Sequence, residues 1–178
     1  MLFDPDVELS LQAVAALINT ANEPDTLTTV GELDAFVERW QYSGSRAATE
    51  ADLEQVRRVR GKLAALWTTD EAEAVERTNE VLRRHQALPQ LARHDGFGWH
   101  IHAIPTDAPL ADRFAVELAM ALVDVIRLGE LSRLQHCAAE DCENVLVDLS
   151  RNRSRRFCDA GCGNKANVAA YRARQRSG

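Results

Sequence analysis

The sequence has no apolar run long enough to cross a membrane, and it contains few cysteines and few aromatic residues. Cysteine occurs four times in 178 residues, and aromatic side chains make up 6% of the chain. A transmembrane helix needs about 20 consecutive apolar residues, so we expect no membrane partner. Acidic residues, among them Asp4 and Glu8, stand where a signal peptide has its cationic start. We therefore expect a cytoplasmic chain in a reducing environment.

The four cysteines all lie in the last quarter of the chain. Cys137, Cys142, Cys158 and Cys162 follow the pattern Cys-x4-Cys-x15-Cys-x3-Cys. Two short-range pairs, separated by a stretch long enough for a hairpin, can close four thiolates tetrahedrally around one Zn²⁺. Four cysteine ligands leave no open position for a zinc-bound water, so the pattern predicts one structural zinc ion.

Three other uses of these cysteines compete with zinc. Two disulfides suit a secreted protein, which the N-terminal sequence does not favour. An iron–sulfur cluster usually takes cysteines in tighter triplets than these two distant pairs. Four unrelated thiols would rarely all fall within one short segment. Residues 143–178 also hold few large apolar side chains, so this segment is expected to need a metal to fold.

Charge is divided unevenly along the chain. Residues 149–178 contain seven arginines and one lysine against the single acid Asp159, a net charge of +7. The whole chain carries −6, so the preceding residues carry −13. A local basic stretch can neutralise phosphates and release counterions, whereas an acidic body is repelled by DNA. We therefore expect the tail to bind double-stranded DNA and the body to stay off the duplex.

The tail also shows a plausible order of elements. Residues 145–149 and 156–158 are predicted as short strands joined by a polar turn, and a helix is expected to start near Cys162. A knuckle, meaning the turn between Cys137 and Cys142, followed by a hairpin and a helix predicts a treble-clef-like finger. The predicted phosphate contacts are Arg151, Arg153, Lys165, Arg172 and Arg176, and Asn152 or Asn164 is expected to reach a base edge. The competing interpretations are a solvated basic helix end and an adaptor that binds an acidic protein.

The stretches HCAAEDC at 136–142, DLSRNRSRRFC at 148–158 and CGNKA at 162–166 closely resemble the CGNR zinc finger of bacterial proteins with an N-terminal ABATE domain. That family is described as regulating transcription under stress, so the resemblance implies zinc and DNA binding. In the body it rests on the order of elements and on residues 17–20. The family motif ends in arginine, whereas this chain has Lys165, which lacks the bidentate geometry of guanidinium. The expected domains are an ABATE-like helical domain at 1–130 and the finger at 131–178.

Helical patterning dominates the body. Helices are predicted at 7–20 after an Asp6 cap, at 31–42, at 50–67 after Thr49, at 71–87 and at 109–128, where Gly129 is the expected stop. Capping boxes are expected from Thr29 with Glu32 and from Asp70 with Glu73. A β-hairpin is predicted at 90–94 and 97–104 around a type I′ turn at Asp95 and Gly96. The fold class is thus mainly α with a small β-hairpin, an α+β chain ending in a zinc finger.

Two groups of body residues are candidates for a site. His100 and His102 share one face of a strand, and we assign them to solvent because Trp99, Ile101 and Ala103 alternate with them. No nucleophile or carboxylate pair accompanies them, so we expect no enzyme. The second group could line a pocket for a small-molecule effector, although core packing is the simpler interpretation. It comprises Phe36, Trp40, Trp67, Phe97, Trp99 and Phe114.

Overall fold

The computed structural model describes residues 2–42, 47–93 and 98–176. The described chain is mainly helical, with two antiparallel two-stranded ribbons and a helix after the last cysteine, which confirms the predicted fold class. In that part, no helix combines the length and apolar character that a membrane span requires. The elements are α1 (Pro5–Asn19), α2 (Val30–Arg39), α3 (Glu50–Ala65), α4 (Glu71–Arg84), β1 (Gln90–Ala92), β2 (His100–His102), α5 (Leu110–Arg127), a 3-10 turn (Leu131–Arg133), β3 (Leu134–His136), β4 (Val145–Val147) and α6 (Cys162–Arg176).

Local capping signals place the starts of α2 and α3 where the sequence predicts them. The Thr29 hydroxyl accepts from the N–H of Glu32, whose carboxylate accepts in return from the N–H of Thr29, so the predicted capping box is confirmed. Thr49 and Asp52 form a second complete box at α3. Each box satisfies backbone N–H groups that the first helical turn leaves without partners.

One predicted helix start and one predicted capping box need correction. Helix α1 begins at Pro5, with Asp4 rather than Asp6 at the N-cap. Proline suits the first helical position because its fixed φ is helical and its missing N–H would have no partner there. At α4, Asp70 accepts from the N–H of Glu73, but only half of the box forms. The Glu73 carboxylate instead accepts from the Thr68 hydroxyl at 2.8 Å.

Helix α5 is the centre of the body and packs against α1, α3 and α4. It ends at Arg127 with Leu128 as its C-cap, and Gly129 follows with φ of +68°, a conformation that suits glycine at a helix end. The spacing of apolar residues in this helix predicts one core stripe of five side chains, and all five are buried, which confirms it. They are Phe114, Leu118, Ala121, Leu122 and Val125.

The β1–β2 ribbon faces the body with the side that the sequence assigns to solvent. His100 and His102 are half-buried and line a cavity, whereas Trp99 is 69% exposed and Ile101 is also exposed. Alternation alone tells which residues share a face and not which face packs, and here the inner face is polar. Ala92 pairs with His100, one residue away from the pairing that a two-residue turn at Asp95 and Gly96 would give. Asp95, Gly96 and Phe97 lie outside the described residues.

Strand β4 pairs with β3, which precedes the first cysteine, so the predicted strand at 156–158 is wrong. The backbone there has other partners. The Arg156 carbonyl accepts from the N–H of Ala138, and the N–H of Arg155 donates to the Asp148 carboxylate. With these groups satisfied outside a ladder, the segment follows an irregular path to Cys158.

The β3–β4 ribbon is built into the core of the body. Leu134, Val145 and Val147 belong to the same buried cluster as the side chains of α1, α3 and α5. The Asn19 side chain at the end of α1 donates to the Val145 carbonyl at 2.9 Å and accepts from the Val145 N–H at 2.7 Å. The indole N–H of Trp67 also donates to the Gln135 carbonyl. A domain boundary between residues 130 and 131 stays a prediction.

Candidate metal centre and basic helix

The four cysteine thiols converge on one point. Cys137 follows β3, Cys142 ends the knuckle, Cys158 ends the loop after β4, and Cys162 is the first residue of α6. Their Sγ atoms all lie within 4.8 Å of one another, and Cys158 Sγ is 3.7 Å from both Cys142 Sγ and Cys162 Sγ. No second group of three or more metal-ligating side chains meets in this way within the described ranges.

These distances fit one tetrahedral metal ion. Zn–S bonds of about 2.3 Å at tetrahedral angles place the sulfurs roughly 3.8 Å apart. A disulfide would need about 2.05 Å between its sulfurs, so the structure holds four free thiols. The soft sulfur donors and the closed geometry together make this a candidate site for one metal ion.

Two glycines flank the last ligand, Cys162. Gly161 has φ of +82°, a left-handed conformation that side chains other than glycine rarely adopt. Its carbonyl accepts from the N–H of Lys165, in the first turn of α6. The helix therefore begins immediately after the glycine turn. At Gly163 a Cβ atom would lie 3.6 Å from the Phe157 ring, so the ring packs directly against the first turn of α6.

The thiols cannot all ionise without a cation between them. Burial opposes ionisation of Cys137, but the backbone N–H groups of Cys158 and Ala139 bring its pKa down to about 7. Hydrogen bonds with Cys142 and Cys158 raise the pKa of Cys162 to about 12. Burial also raises the pKa of Cys142. A bound metal ion would supply the positive charge that lets all four act as thiolates.

Asn144 connects the metal site to the body. Its side-chain amide donates to Cys158 Sγ at 3.3 Å, a contact that stabilises negative charge on sulfur. Its Oδ1 accepts from the Asn22 side chain at 2.6 Å. Asn22 follows α1, so a chain of two hydrogen bonds runs from the body to a metal-ligating sulfur. Sequence reasoning missed this residue, because nothing in the spacing of the cysteines marks it.

Asp148 organises the basic loop that the sequence predicts as a polar turn. It is fully buried, and its carboxylate accepts from the N–H groups of Ser150 and Arg155 at 2.8 and 2.9 Å. The buried guanidinium of Arg133 donates to the carbonyls of Asp148 and Ser150. Sequence reasoning missed Asp148 as well. Its signal is a lone acid directly after an apolar strand, where a buried carboxylate needs N–H partners.

All seven predicted nucleic-acid contacts are exposed. Lys165, Arg172 and Arg176 lie along one face of α6, as their spacing predicts. Arg151 and Asn152 lie in the loop after β4, and Asn164 lies in the first turn of α6. Arg153 differs from the others, because its guanidinium donates to both carboxylate oxygens of Glu130 at 2.8 and 2.9 Å. That ion pair fixes the loop and competes with any phosphate contact by Arg153.

Two apolar side chains on α6 were not anticipated as surface residues. Val168 and Tyr171 are both exposed, Tyr171 to 57%. Val168 lies between Lys165 and Arg172 on the helix surface at spacings of three and four residues. The exposed face of α6 is therefore basic with apolar positions inside it.

The predicted aromatic group is divided between core and cavity. Phe114 and Trp67 are buried, and Phe36 packs against the same core. Trp40 lines a cavity beside the two histidines. Trp99 is exposed, and Phe97 is outside the described residues.

Comparison with protein families accounts for both parts of the chain. The CGNR zinc finger family matches residues 133–175. The ABATE family, described as "Putative stress-induced transcription regulator", matches residues 11–129, more than half of the chain. No curated protein matches the sequence. The chain therefore belongs to the ABATE family, and a CGNR zinc finger follows its ABATE body.

Proposed function

We propose that the protein is a zinc-dependent regulator of transcription that binds double-stranded DNA through its finger and catalyses no reaction. The body would act as the sensory or scaffold part. The observation that carries this proposal is the geometry of α6: a basic helix that begins at a metal ligand and then extends beyond the packed chain.

Zinc suits the cysteine site on chemical grounds. Four thiolates are soft donors, and the sulfur spacing matches a single tetrahedral ion. Bound there, the ion would join the knuckle, the loop after β4 and the start of α6. Its charge would offset part of the negative charge of four thiolates, and Arg155 and Arg156 lie close by in sequence to offset more.

Helix α6 is largely unsupported by the rest of the protein. Every described side chain after Ala166 is exposed, and none of these residues is acidic. An isolated helix of about 15 residues is marginal in water, so packing against a partner would stabilise it. A helix of this width fits the major groove of B-DNA, and a basic face favours such a partner.

Within the described residues, Arg151, Lys165, Arg172 and Arg176 form no ion pair with an acidic side chain. Their charges are therefore available to phosphates. Asn164, in the same turn as Lys165, would be the side chain that reaches a base edge, with Asn152 as the loop candidate. Lysine in place of the family arginine suits a phosphate contact better than bidentate reading of guanine.

Salt dependence of DNA binding tests this proposal. Full-length, zinc-loaded protein would be titrated into labelled duplex DNA over a series of salt concentrations, with fluorescence anisotropy as the readout. Replacing both Arg172 and Arg176 by alanine should flatten the slope of log affinity against log salt by about two units. Replacing Arg83 and Arg84, two exposed arginines on α4, gives the matched control with the same change in net charge.

The control should keep the wild-type slope and bind about as tightly as the wild-type protein. Equal slopes for both double variants would show that α6 does not contact phosphates. Complete lack of salt-sensitive binding to any duplex would overturn the DNA proposal.

A protein-interaction adaptor is the second candidate, and the exposed Val168 and Tyr171 favour it. Aromatic and apolar side chains inside a basic face are typical of protein interfaces as well as of DNA contacts. In that case Tyr171→Ala would abolish capture of an acidic protein partner, while the salt slope with DNA would be flat from the start.

A further inference from the structure

A cavity of about 110 Å³ lies in the body, away from the metal centre. Its walls come from the first half of α1, the segment after α2, strand β2 and the middle of α5. None of the described residues that line it belongs to the finger. This is the cavity onto which the polar face of the β1–β2 ribbon is turned.

The charged side chains that line the cavity are acidic. Asp6 comes from α1, and Glu117 and Asp124 come from α5, while no lysine or arginine is among the described lining residues. Burial raises the pKa of Glu117 to about 7. Burial, together with the negative charges of Asp4 and Asp6, also raises the pKa of Asp124. Both carboxylates are thus held where negative charge is unfavourable, even though Arg113 and Arg127 partly offset it.

Tyr42 supplies a buried polar group beside these acids. Its side chain is 7% exposed and lines the cavity, and its hydroxyl has no hydrogen-bond partner in the described part of the chain. The Glu117 carboxylate lies beside it and raises the pKa of Tyr42 further, after the larger effect of burial. A buried hydroxyl without a partner costs stability, which a bound ligand can recover.

The two histidines of β2 also line the cavity. His100 Nδ1 lies 3.0 Å from the Gly98 carbonyl, so that nitrogen carries the proton. His100 Nε2 is then an acceptor, and it lies 3.1 Å from His102 Nε2. An aromatic wall is added by Trp40. Carboxylates and an indole ring together form a setting for a positively charged donor.

We propose that this cavity binds a small organic ammonium ion. Its N–H groups would donate to the carboxylates of Glu117 and Asp124, and its short apolar part would pack against Trp40. An engineered cavity of about 150 Å³ holds benzene, so a volume of this order fits a ligand of roughly four to six heavy atoms. This site would be the effector site of the body, and only that regulatory role rests on the proposed function.

Ligand charge is the variable that tests the proposal. The probes are n-butylammonium, 1-butanol and butyrate, which share an apolar chain and differ in charge. Each would be titrated into full-length, zinc-loaded protein without DNA, with the indole N–H signal of Trp40 followed by NMR and assigned through Trp40→Phe. We expect n-butylammonium to bind at least about tenfold more tightly than 1-butanol, and butyrate not to bind.

Matched variants locate the binding. Glu117→Gln and Asp124→Asn should each weaken n-butylammonium binding about tenfold, whereas Asp107→Asn, at an exposed acid outside the cavity, should leave it unchanged. If Glu117→Gln fails to fold, Asp124→Asn carries the test.

Equal affinity for n-butylammonium and 1-butanol would overturn the proposal, because the cavity would then select apolar character alone. Equal affinity of the wild type and both cavity variants would overturn it too, by placing the cation elsewhere. Neither result would affect the DNA proposal, since DNA is absent from these titrations.

Discussion

The body and the finger are stabilised by different means. In the body, α5 is surrounded by apolar side chains of α1, α3 and α4, which form one large buried cluster. The finger has a cluster of Cys137, Leu146, Cys158 and Cys162 with a few partly buried neighbours, and three of its four cysteines are buried. The β3–β4 ribbon packs into the core of the body, whereas the loop after β4 and α6 do not. Apolar burial thus holds together the described helices of the body and the β3–β4 ribbon, and we expect the loop after β4 and α6 to depend on a metal.

Loss of the metal should give the largest effect and sharpen this comparison. Structural zinc in small fingers contributes on the order of 10–16 kcal/mol to folding. Cys158→Ser, or chelation of the wild-type metal, should therefore disorder the loop after β4 and α6 while the body helices stay folded. Circular dichroism and hydrogen exchange would measure this, and elemental analysis should find about one zinc per wild-type chain.

Ala160→Ser is the matched control for Cys158→Ser, because it introduces the same residue at an exposed position of the same loop. A metal-free protein with α6 fully protected from exchange would contradict the comparison. So would the collapse of the whole chain, which would make body and finger one cooperative unit.

A core substitution in the body should act in the opposite way. Leu122 is fully buried in α5, and Leu122→Ala should lower the free energy of unfolding of the body by about 2–5 kcal/mol. Denaturant unfolding measures the loss, and zinc content should not change in the folded protein. Leu128→Ala, at an exposed position just after α5, should be close to neutral. Loss of zinc from folded Leu122→Ala would show that the two regions are not stabilised independently.

Asn19→Ala tests the contact between the two regions. It removes the side-chain partners of two backbone groups of Val145, the N–H and the carbonyl. The loss should lower the free energy of unfolding by about 1–3 kcal/mol. The unfolding of the β3–β4 ribbon should then precede that of α5, as followed by hydrogen exchange. Gln12→Ala on the same helix removes an amide that donates only to a helix carbonyl, and it serves as the control. An unchanged exchange pattern in Asn19→Ala would show that apolar packing alone holds the ribbon.

The smallest effect is expected from pH. The pKa of Glu117 is raised from 4.5 to about 7 by burial. Between these two pH values its carboxyl stays protonated in the folded body, whereas in the unfolded chain it ionises. Stability is therefore lost as pH rises from about 4.5 to 7, and the loss is complete above pH 7. Glu117→Gln should stabilise the body by about 1–2 kcal/mol at pH 8 and have little effect at pH 4. Equal effects at both pH values would contradict this ionisation.

Features that depend on neighbouring residues could be predicted from the sequence. The capping box of Thr29, the stop at Gly129, the buried stripe of α5 and the grouping of the cysteines all arise from local spacing. Distant contacts could not be predicted in the same way. The partner of β4, the inward face of His100 and the role of Asn144 depend on which surfaces meet, and alternation of polar and apolar residues is the same for either choice.

The contact between Asn19 and Val145 also limits how early the fold around α1 can be completed during synthesis. The two residues are 126 positions apart, and β4 provides a large part of the surface that covers α1. Contacts of such long range form late, and a chain emerging from the ribosome exposes its first helix until the last strand has followed. A message that ends before the codon for Val147 therefore yields a nascent chain whose α1 keeps an open apolar face, a substrate for chaperones and proteases instead of a working fragment.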